Sequence, residues 1–134
     1  MDGATGQYRA AGCLRRVKNP VRLARAMLDS QSSHVFLVGQ PGDDLARARG
    51  LDVVDNEYFT TPKRRDFWLS KKKPQQQQKV DEHGTVGAVA LDLHGNLATA
   101  NSTGGMMFKH TGRMGDTAIV GAGLYADKDV AIAW

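Results

Sequence analysis

The sequence predicts an α+β fold, in which a β-α-β-α unit is followed by antiparallel strands. Upstream, short apolar runs rich in β-branched residues alternate with amphipathic segments that open on a proline. After residue 84 the amphipathic segments disappear, and only short apolar runs separated by glycine turns remain. The chain has 134 residues, which is the length of one domain.

The first strand and the first helix are predicted from signals around Pro20. A short strand within residues 11–20 has to stop before this proline, and Asn19 is restricted to an extended conformation. Proline suits the first turn of a helix, because its missing N–H would have no helical partner there. The predicted helix buries an apolar stripe of Val21, Ala24, Met27 and Leu28, while Arg22 and Arg25 face water.

A second strand and a second helix follow directly. The run SHVFLVG (33–39) is β-branched and aromatic and is closed by a glycine, which predicts a buried strand. The run PGDDLARARG (41–50) carries acidic residues in its first turn and has Gly50 at its end, which predicts a helix.

Downstream of residue 84 the predicted elements are strands and turns. TVGAVALD (85–92) has apolar residues on both faces, so we expect layers to cover this strand on both sides. DLHGN (92–96) predicts a tight hairpin in which Gly95 adopts a positive φ. Further strands are predicted in NLATANS (96–102), AIVGAG (118–123) and DVAIAW (129–134).

Basic charge is concentrated in one segment. Residues 63–79 hold seven Lys or Arg and one acid, a local charge of +6 in a chain whose net charge is +4. The stretch that continues through KKKPQQQQKVDE cannot bury enough apolar area to offset chain entropy, so we predict a mobile linker over about residues 63–83. A solvated linker explains the basic charge, so we expect no nucleic-acid partner. The alternative to an enzyme is a non-catalytic remnant or interaction module, in which Lys63–Lys79 contacts acidic partners.

Other features of the sequence limit the class of protein to which the chain can belong. No apolar run reaches the roughly 20 residues of a membrane helix, so we expect no membrane partner. The first twelve residues lack the apolar core of a signal peptide. The single cysteine, Cys13, excludes an internal disulfide and suits a reducing compartment, which predicts a cytoplasmic location. No Cys or His cluster has zinc spacing, so we predict no metal.

Thr85 has a position that suits a nucleophile. It follows Gly84 at the start of an apolar strand, although a Gly-Thr pair is also an ordinary turn and cap there. A threonine hydroxyl needs a base within hydrogen-bond reach, and the sequence holds no evident Ser-His-Asp set. Cleavage of the Gly84–Thr85 bond would supply that base, because a free α-amine has a pKa near about 7.7–8. Glycine permits the strained backbone that such an attack needs.

A series of short motifs runs through nearly the whole chain apart from the linker. The motifs are MDG (1–3), KNPVRLAR (18–25), SHVFLVG (33–39), GTVGAVA (84–90), DLHGN (92–96), STGG (102–105), GRMGD (112–116) and GAGLYA (121–126). In content and order they closely resemble the threonine-type N-terminal nucleophile (Ntn) hydrolases, in the branch of plant-type L-asparaginases and isoaspartyl peptidases.

The resemblance implies an αββα four-layer sandwich of the Ntn-hydrolase type, of which this chain supplies only the central portion. It implies autocleavage at Gly84–Thr85. Residues 1–84 would then be the C-terminal part of an upstream (alpha) subunit, and residues 85–134 the N-terminal part of a downstream (beta) subunit. We expect an alpha/beta heterodimer after cleavage, and a dimer of heterodimers in the full-length protein. The abrupt chain ends also suggest a piece of a longer protein.

The resemblance also assigns site residues. Thr85 would be the nucleophile, and Thr103 would lie beside it and hydrogen-bond its hydroxyl. Arg113 and Asp116 would hold the α-carboxylate and α-ammonium of the substrate, which suits a guanidinium and a carboxylate. Taken alone, this pair is more typical of a surface ion pair, which contributes little energy. The implied reaction is hydrolysis of L-asparagine or of β-aspartyl dipeptides through an aspartyl ester of threonine.

The chain departs from the family pattern in two respects. The turn that carries the family's oxyanion donors and the strand with its sodium-binding loop fall outside the chain. We therefore expect no cofactor here, and we expect the isolated chain to be weak or inactive. Asn101 stands where the family usually has Thr or Ser, so we expect altered activity.

Overall fold

The computed structural model describes residues 1–30, 33–71 and 84–134. Helices and short sheets both occur in these ranges, which confirms the α+β class; the four-layer sandwich stays a prediction. The elements are β1 (Ala10–Gly12), α1 (Pro20–Asp29), β2 (Phe36–Val38), α2 (Gln40–Ala48), a 3₁₀ helix (Asn56–Phe59), α3 (Pro62–Lys71), β3 (Thr85–Leu91), β4 (Leu97–Thr103), β5 (Leu124–Ala126) and β6 (Ala131–Ala133). None of the helices in these ranges combines the length and apolar character that crossing a bilayer requires.

The upstream part folds as the predicted β-α-β-α unit. Strands β1 and β2 pair in parallel, with α1 between them in the chain. Helix α1 begins at Pro20, and Asn19 before it is extended with φ −130°. The Asn19 Oδ1 accepts a hydrogen bond of 3.1 Å from the backbone N–H of Arg22, so the same asparagine caps the helix.

The largest buried cluster lies between α1, α2 and the segment that follows β1. Leu23 and Met27 of α1 are fully buried, and Val17 and Ala46 pack with them. The predicted stripe of α1 was therefore incomplete: it omitted Leu23. Because Leu23 and Met27 are four residues apart, they lie one turn above the other and form the buried face of the helix.

A buried carboxylate joins α2 to this segment. Asp43, in the first turn of α2, is only 3% exposed. Its oxygens accept hydrogen bonds of 3.0–3.3 Å from the backbone N–H groups of Arg15, Arg16 and Val17. Buried polar groups are stable only when paired in this way, so Asp43 fixes the path of the chain after β1.

The downstream part contains two antiparallel pairs. Strands β3 and β4 pair over their full length from Leu91↔Leu97 to Thr85↔Thr103, and Gly95 in the hairpin between them has φ 83°, as predicted. Strands β5 and β6 form a second hairpin. The two pairs pack together, since the Thr99 hydroxyl lies 3.1 Å from the Ile132 carbonyl of β6.

Strand β4 has a second neighbour on its other edge. The Thr99 N–H donates to the Met1 carbonyl at 3.0 Å, and the Gly3 N–H donates to the Leu97 carbonyl at 2.8 Å. Asp2 forms an antiparallel bridge with Ala98. The first three residues of the chain therefore belong to the same sheet as β3 and β4.

Two predictions of burial were wrong. Strand β2 was expected to be buried, but Val38 is 50% exposed. Strand β3 was expected to be covered on both faces, yet every residue in it is exposed, with Val86 at 65% and Leu91 at 68%. The reason is that β6 contacts β3 around Gly87, while Ala88 and Ala90 on the opposite face border an open cleft.

The strand predicted at residues 118–123 was also wrong. These residues form turns, and β5 begins only at Leu124. Gly121 has φ 84°, and the Gly123 N–H donates to the Ile119 carbonyl at 2.9 Å. A positive φ interrupts an extended strand, so the apolar composition of the run did not decide its structure.

The predicted linker is helical in its first part. Helix α3 covers Pro62–Lys71, and its residues are exposed or half-buried. Trp68 stacks on Phe108, with ring centroids 6.5 Å apart and an interplanar angle of 13°. This contact involves residues far apart in the sequence, so the composition could not reveal it. Residues 72–83 of the predicted linker lie outside the described residues.

A Gly87→Ala change should destabilise the packing of β6 on β3. A Cβ at this position would lie 2.6 Å from the Cβ of Ala133, which is closer than real side chains approach. We expect the free energy of unfolding to fall by about 1–3 kcal/mol, the usual cost of overpacking. Urea unfolding would measure it. Gly104→Ala is the matched control, because a Cβ there meets nothing within 4 Å, and equal losses in both variants would contradict the prediction.

The β3–β4 hairpin should loosen in acid. Hydrogen bonds from the side chain and backbone of Asn96, and from the His94 backbone, hold the pKa of Asp92 below its usual value. A lowered pKa adds stability above the unfolded-state pKa, and this stability is lost as the pH falls through the folded-state pKa. Amide chemical shifts of residues 94 and 96 should therefore move below about pH 4. They should not move there in Asp92→Asn.

Candidate active site

The structure places Thr85 and Thr103 opposite each other. Thr85 is the first residue of β3, Thr103 is the last residue of β4, and the two are register partners. Partners in an antiparallel pair point their side chains to the same face, with Cβ atoms about 4.5–5.5 Å apart. The register therefore places the two threonines side by side, and a hydrogen bond between their hydroxyls stays a prediction.

The turn after β4 orients Thr103. The Gly105 N–H donates a hydrogen bond of 3.0 Å to the Thr103 Oγ1. Gly105 has φ 81°, a conformation that favours glycine, so the STGG turn depends on this residue. Because Oγ1 serves as acceptor to Gly105, its own proton stays available for donation toward Thr85.

The bond predicted to be cleaved lies beside α3. Gly84 directly precedes β3, and a Cβ on Gly84 would be 3.7 Å from the Arg64 Nη2. The guanidinium of α3 thus approaches the Gly84–Thr85 junction. This neighbour was not predicted, because Arg64 lies in the segment that we expected to be a mobile linker.

Arg113 and Asp116 lie on the loop that joins the two sheets. Both side chains are exposed, and no ion pair links them within the described part of the chain. The surface ion pair considered above is therefore not formed. The loop itself is held by backbone hydrogen bonds from the Arg113 N–H to the His110 carbonyl, at 3.0 Å, and from the Ile119 N–H to the Asp116 carbonyl, at 2.7 Å.

All four residues border one large open cleft. It has a volume of about 1620 Å³ and reaches both faces of β3, since Ala88 and Ala90 border it as well as Thr85, Thr103, Arg113 and Asp116. We call it the Thr85 cleft. A smaller cleft of about 370 Å³ near Lys18 and Tyr58 contains none of the predicted site residues.

Comparison with known families decides what this arrangement is related to. The family model described as Asparaginase matches residues 1–133. The chain belongs to the asparaginase family. The family resemblance drawn from the motifs is thereby confirmed.

Relatives in this asparaginase family are similar over almost the whole chain. An isoaspartyl peptidase of Escherichia coli (strain K12) is 42% identical, over an alignment that covers 95% of this chain and 42% of that protein. An isoaspartyl peptidase/L-asparaginase of Xenopus laevis is 39% identical, covering 97% and 42%. A plant-type L-asparaginase of Pyrobaculum calidifontis is 40% identical, covering 97% and 45%. This asparaginase-family chain spans less than half the length of these relatives.

Asn101, the departure from the family motif, is tied to the second sheet of this asparaginase-family chain. Its Nδ2 donates to the carbonyl of Gly123 and, at 3.2 Å, to that of Trp134. Its Oδ1 is buried without a hydrogen-bond partner among the described residues. The amide therefore links β4 to β5 and β6.

Lys109 is a further residue of the Thr85 cleft that the sequence reasoning missed. Its Nζ occupies the place that a Cβ of residue 105 would take, so the ammonium rests against the STGG turn. Its position in the sequence could have revealed it. Between STGG and the end of GRMGD, the Lys, Arg, Asp and Glu residues are Lys109, Arg113 and Asp116, so Lys109 accompanies the two predicted binding residues. No group of three His, Cys, Asp or Glu suited to a metal occurs among the described residues.

Proposed function

We propose that the protein is an autoprocessed amidohydrolase. It hydrolyses L-asparagine to aspartate and ammonia, or β-aspartyl (isoaspartyl) dipeptides to aspartate and an amino acid. The observation that carries the proposal is the pairing of Thr85 with Thr103 at a cleft that Arg113 and Asp116 also line. Relatives named isoaspartyl peptidase and L-asparaginase support the same class of reaction.

Processing comes first. The Thr85 hydroxyl adds to the carbonyl carbon of Gly84, the peptide C–N bond breaks, and Gly84 becomes an ester of Thr85 with a free α-amine on the threonine. Water then hydrolyses the ester and leaves a carboxylate on Gly84. The absence of a side chain at Gly84 supports this step, because the attack needs a strained backbone.

Turnover then uses the freed amine as the base. It takes the proton of the Thr85 hydroxyl, which attacks the side-chain carbonyl of asparagine or the isopeptide carbonyl of the dipeptide. Thr103 donates a hydrogen bond to the Thr85 oxygen. Ammonia or an amino acid leaves, and water hydrolyses the aspartyl ester to restore the enzyme.

Arg113 and Asp116 select the substrate. The guanidinium holds the α-carboxylate in a bidentate contact, and the carboxylate of Asp116 accepts from the α-ammonium. Neither side chain forms an ion pair within the described ranges, so both are available to a ligand. Together they bind the zwitterionic head that asparagine and β-aspartyl peptides share.

The proposal extends to processing and assembly. Residues 1–84 and 85–134 become parts of an alpha and a beta subunit that stay together, and the full-length protein is a cytoplasmic dimer of such heterodimers. The residues of this chain hold no cofactor. The 134-residue chain alone is a weak or inactive enzyme. Robust turnover by the isolated chain would contradict this last point.

The proposal can be tested on the purified protein. Intact mass and N-terminal sequencing should show a new N-terminus at Thr85. Release of ammonia from asparagine, and of an amino acid from β-aspartyl-leucine, should accompany processing in the longest form of the protein. A chain that stays uncut and hydrolyses neither compound would overturn the proposal. Salt-dependent binding of that uncut chain to a polyanion would instead favour the basic interaction module.

A further inference from the structure

Lys109 places a second cation in the Thr85 cleft. Its ammonium lies against Gly105, whose N–H holds the Thr103 hydroxyl, whereas the Arg113 Nη1 lies 3.3 Å from the position of a Cβ on Gly115. The two cations therefore occupy different ends of the 104–116 loop. Among the described residues, the Lys109 ammonium has no hydrogen bond or ion pair, and the side chain is exposed to the cleft.

The charges of this loop exceed what asparagine requires. Arg113 and Asp116 match one carboxylate and one ammonium, which together make up the charged groups of asparagine. Lys109 leaves the loop with a net charge of +1. A β-aspartyl dipeptide has one ammonium and two carboxylates, because the leaving residue carries a carboxylate of its own. Its net charge of about −1 complements the loop at neutral pH.

We propose that Lys109 binds the carboxylate of the leaving residue and so makes the site favour β-aspartyl dipeptides over asparagine. This inference rests on the proposed function, since it uses the same site and substrate class. The aspartyl head lies on Arg113 and Asp116, the acyl carbon lies at Thr85, and the leaving residue extends toward the STGG turn where the Lys109 ammonium rests.

Gly105 contributes to the proposed binding site of the leaving carboxylate. It supplies the positive φ of the turn, and its missing side chain leaves the space that the ammonium fills. A role for Lys109 in merely positioning the turn would affect Thr103 and therefore every substrate. Binding of the leaving carboxylate affects only substrates that carry one, and this difference separates the two roles.

The test compares β-aspartyl-leucine, its C-terminal amide and asparagine. Affinity is read as KM where the protein turns the compound over, and as Kd by calorimetric titration where it does not. Lys109→Met should weaken the binding of β-aspartyl-leucine about tenfold, which is the scale of a partly exposed charged hydrogen bond. The affinities for the amide and for asparagine should not change. Lys109→Arg, which keeps the charge, should recover most of the loss.

Lys128→Met is the control variant, because Lys128 does not line the Thr85 cleft and pairs only with Asp129 among the described residues. It should leave all three affinities unchanged. Equal losses for the peptide and its amide in Lys109→Met would overturn the inference, as would no loss at all or no binding of the peptide by the unaltered protein. Because the titration needs no turnover, failure of hydrolysis would count against the proposed function and not against Lys109.

Discussion

A Thr85→Ala chain should remain one polypeptide of 14.5 kDa on prolonged incubation, whereas the unaltered chain should divide between Gly84 and Thr85. Alanine removes the hydroxyl that attacks the Gly84 carbonyl, so both processing and amide hydrolysis should be lost. Denaturing gels and intact mass follow the first effect, and ammonia release follows the second. The expected loss of processing is complete, since the described site holds no second hydroxyl next to the scissile bond on the same strand.

Two further variants sharpen this test. Thr103→Val keeps the β-branched shape opposite Thr85 but removes the hydroxyl that Gly105 orients, so processing should slow without a change in fold. Ser102→Ala is the matched control, because successive residues of a strand point to opposite faces. A Thr85→Ala chain that still divides at Gly84 would rule out the threonine as the nucleophile.

An Arg113→Met enzyme should lose about 2–3 kcal/mol of substrate binding, or a factor of roughly 30–150 in kcat/KM, because the α-carboxylate loses its charged partner. Asparagine and β-aspartyl-leucine should suffer equally, since both carry this group. Steady-state kinetics with the two substrates, in the longest form of the protein, would measure the loss.

Measurements of stability and of processing distinguish a loss of substrate binding in Arg113→Met from damage to the fold. The Arg113 guanidinium forms no ion pair within the described ranges, so the free energy of unfolding should not change. Processing involves no bound substrate and should proceed at the normal rate. Arg49→Met, an exposed arginine outside the Thr85 cleft, is the control. Unimpaired kinetics in Arg113→Met would rule out Arg113 as the residue that binds the α-carboxylate.

Helices and turns that are specified by one or two particular residues were predictable from the sequence. Pro20 with the preceding Asn19 marks the start of α1, because proline restricts itself and its neighbour. Gly95 marks the β3–β4 hairpin in the same way. The short hairpin then dictates the register, and the register brings the two motif threonines together.

Burial was less predictable, because it depends on distant layers. The pattern of β3 is apolar on both faces, but its residues stay exposed even though β6 packs against it around Gly87. The run from 118 to 123 looks like a strand by composition, yet one glycine with a positive φ turns it. The contacts of Lys109 with Gly105 and of Arg64 with Gly84 depend on the paths of a loop and of α3, and no residue pattern encodes those paths.

The pairing of the first three residues with β4 has a thermodynamic consequence. Backbone hydrogen bonds from the Thr99 N–H to the Met1 carbonyl and from the Gly3 N–H to the Leu97 carbonyl join residues upstream and downstream of position 84 in one sheet. Before a cut at Gly84 the chain folds in a unimolecular reaction; after it, the same sheet forms only when two polypeptides meet. Processing would therefore change the order of the folding reaction while leaving these hydrogen bonds intact. The melting temperature of the processed protein would then rise with protein concentration, whereas that of the uncut chain would not.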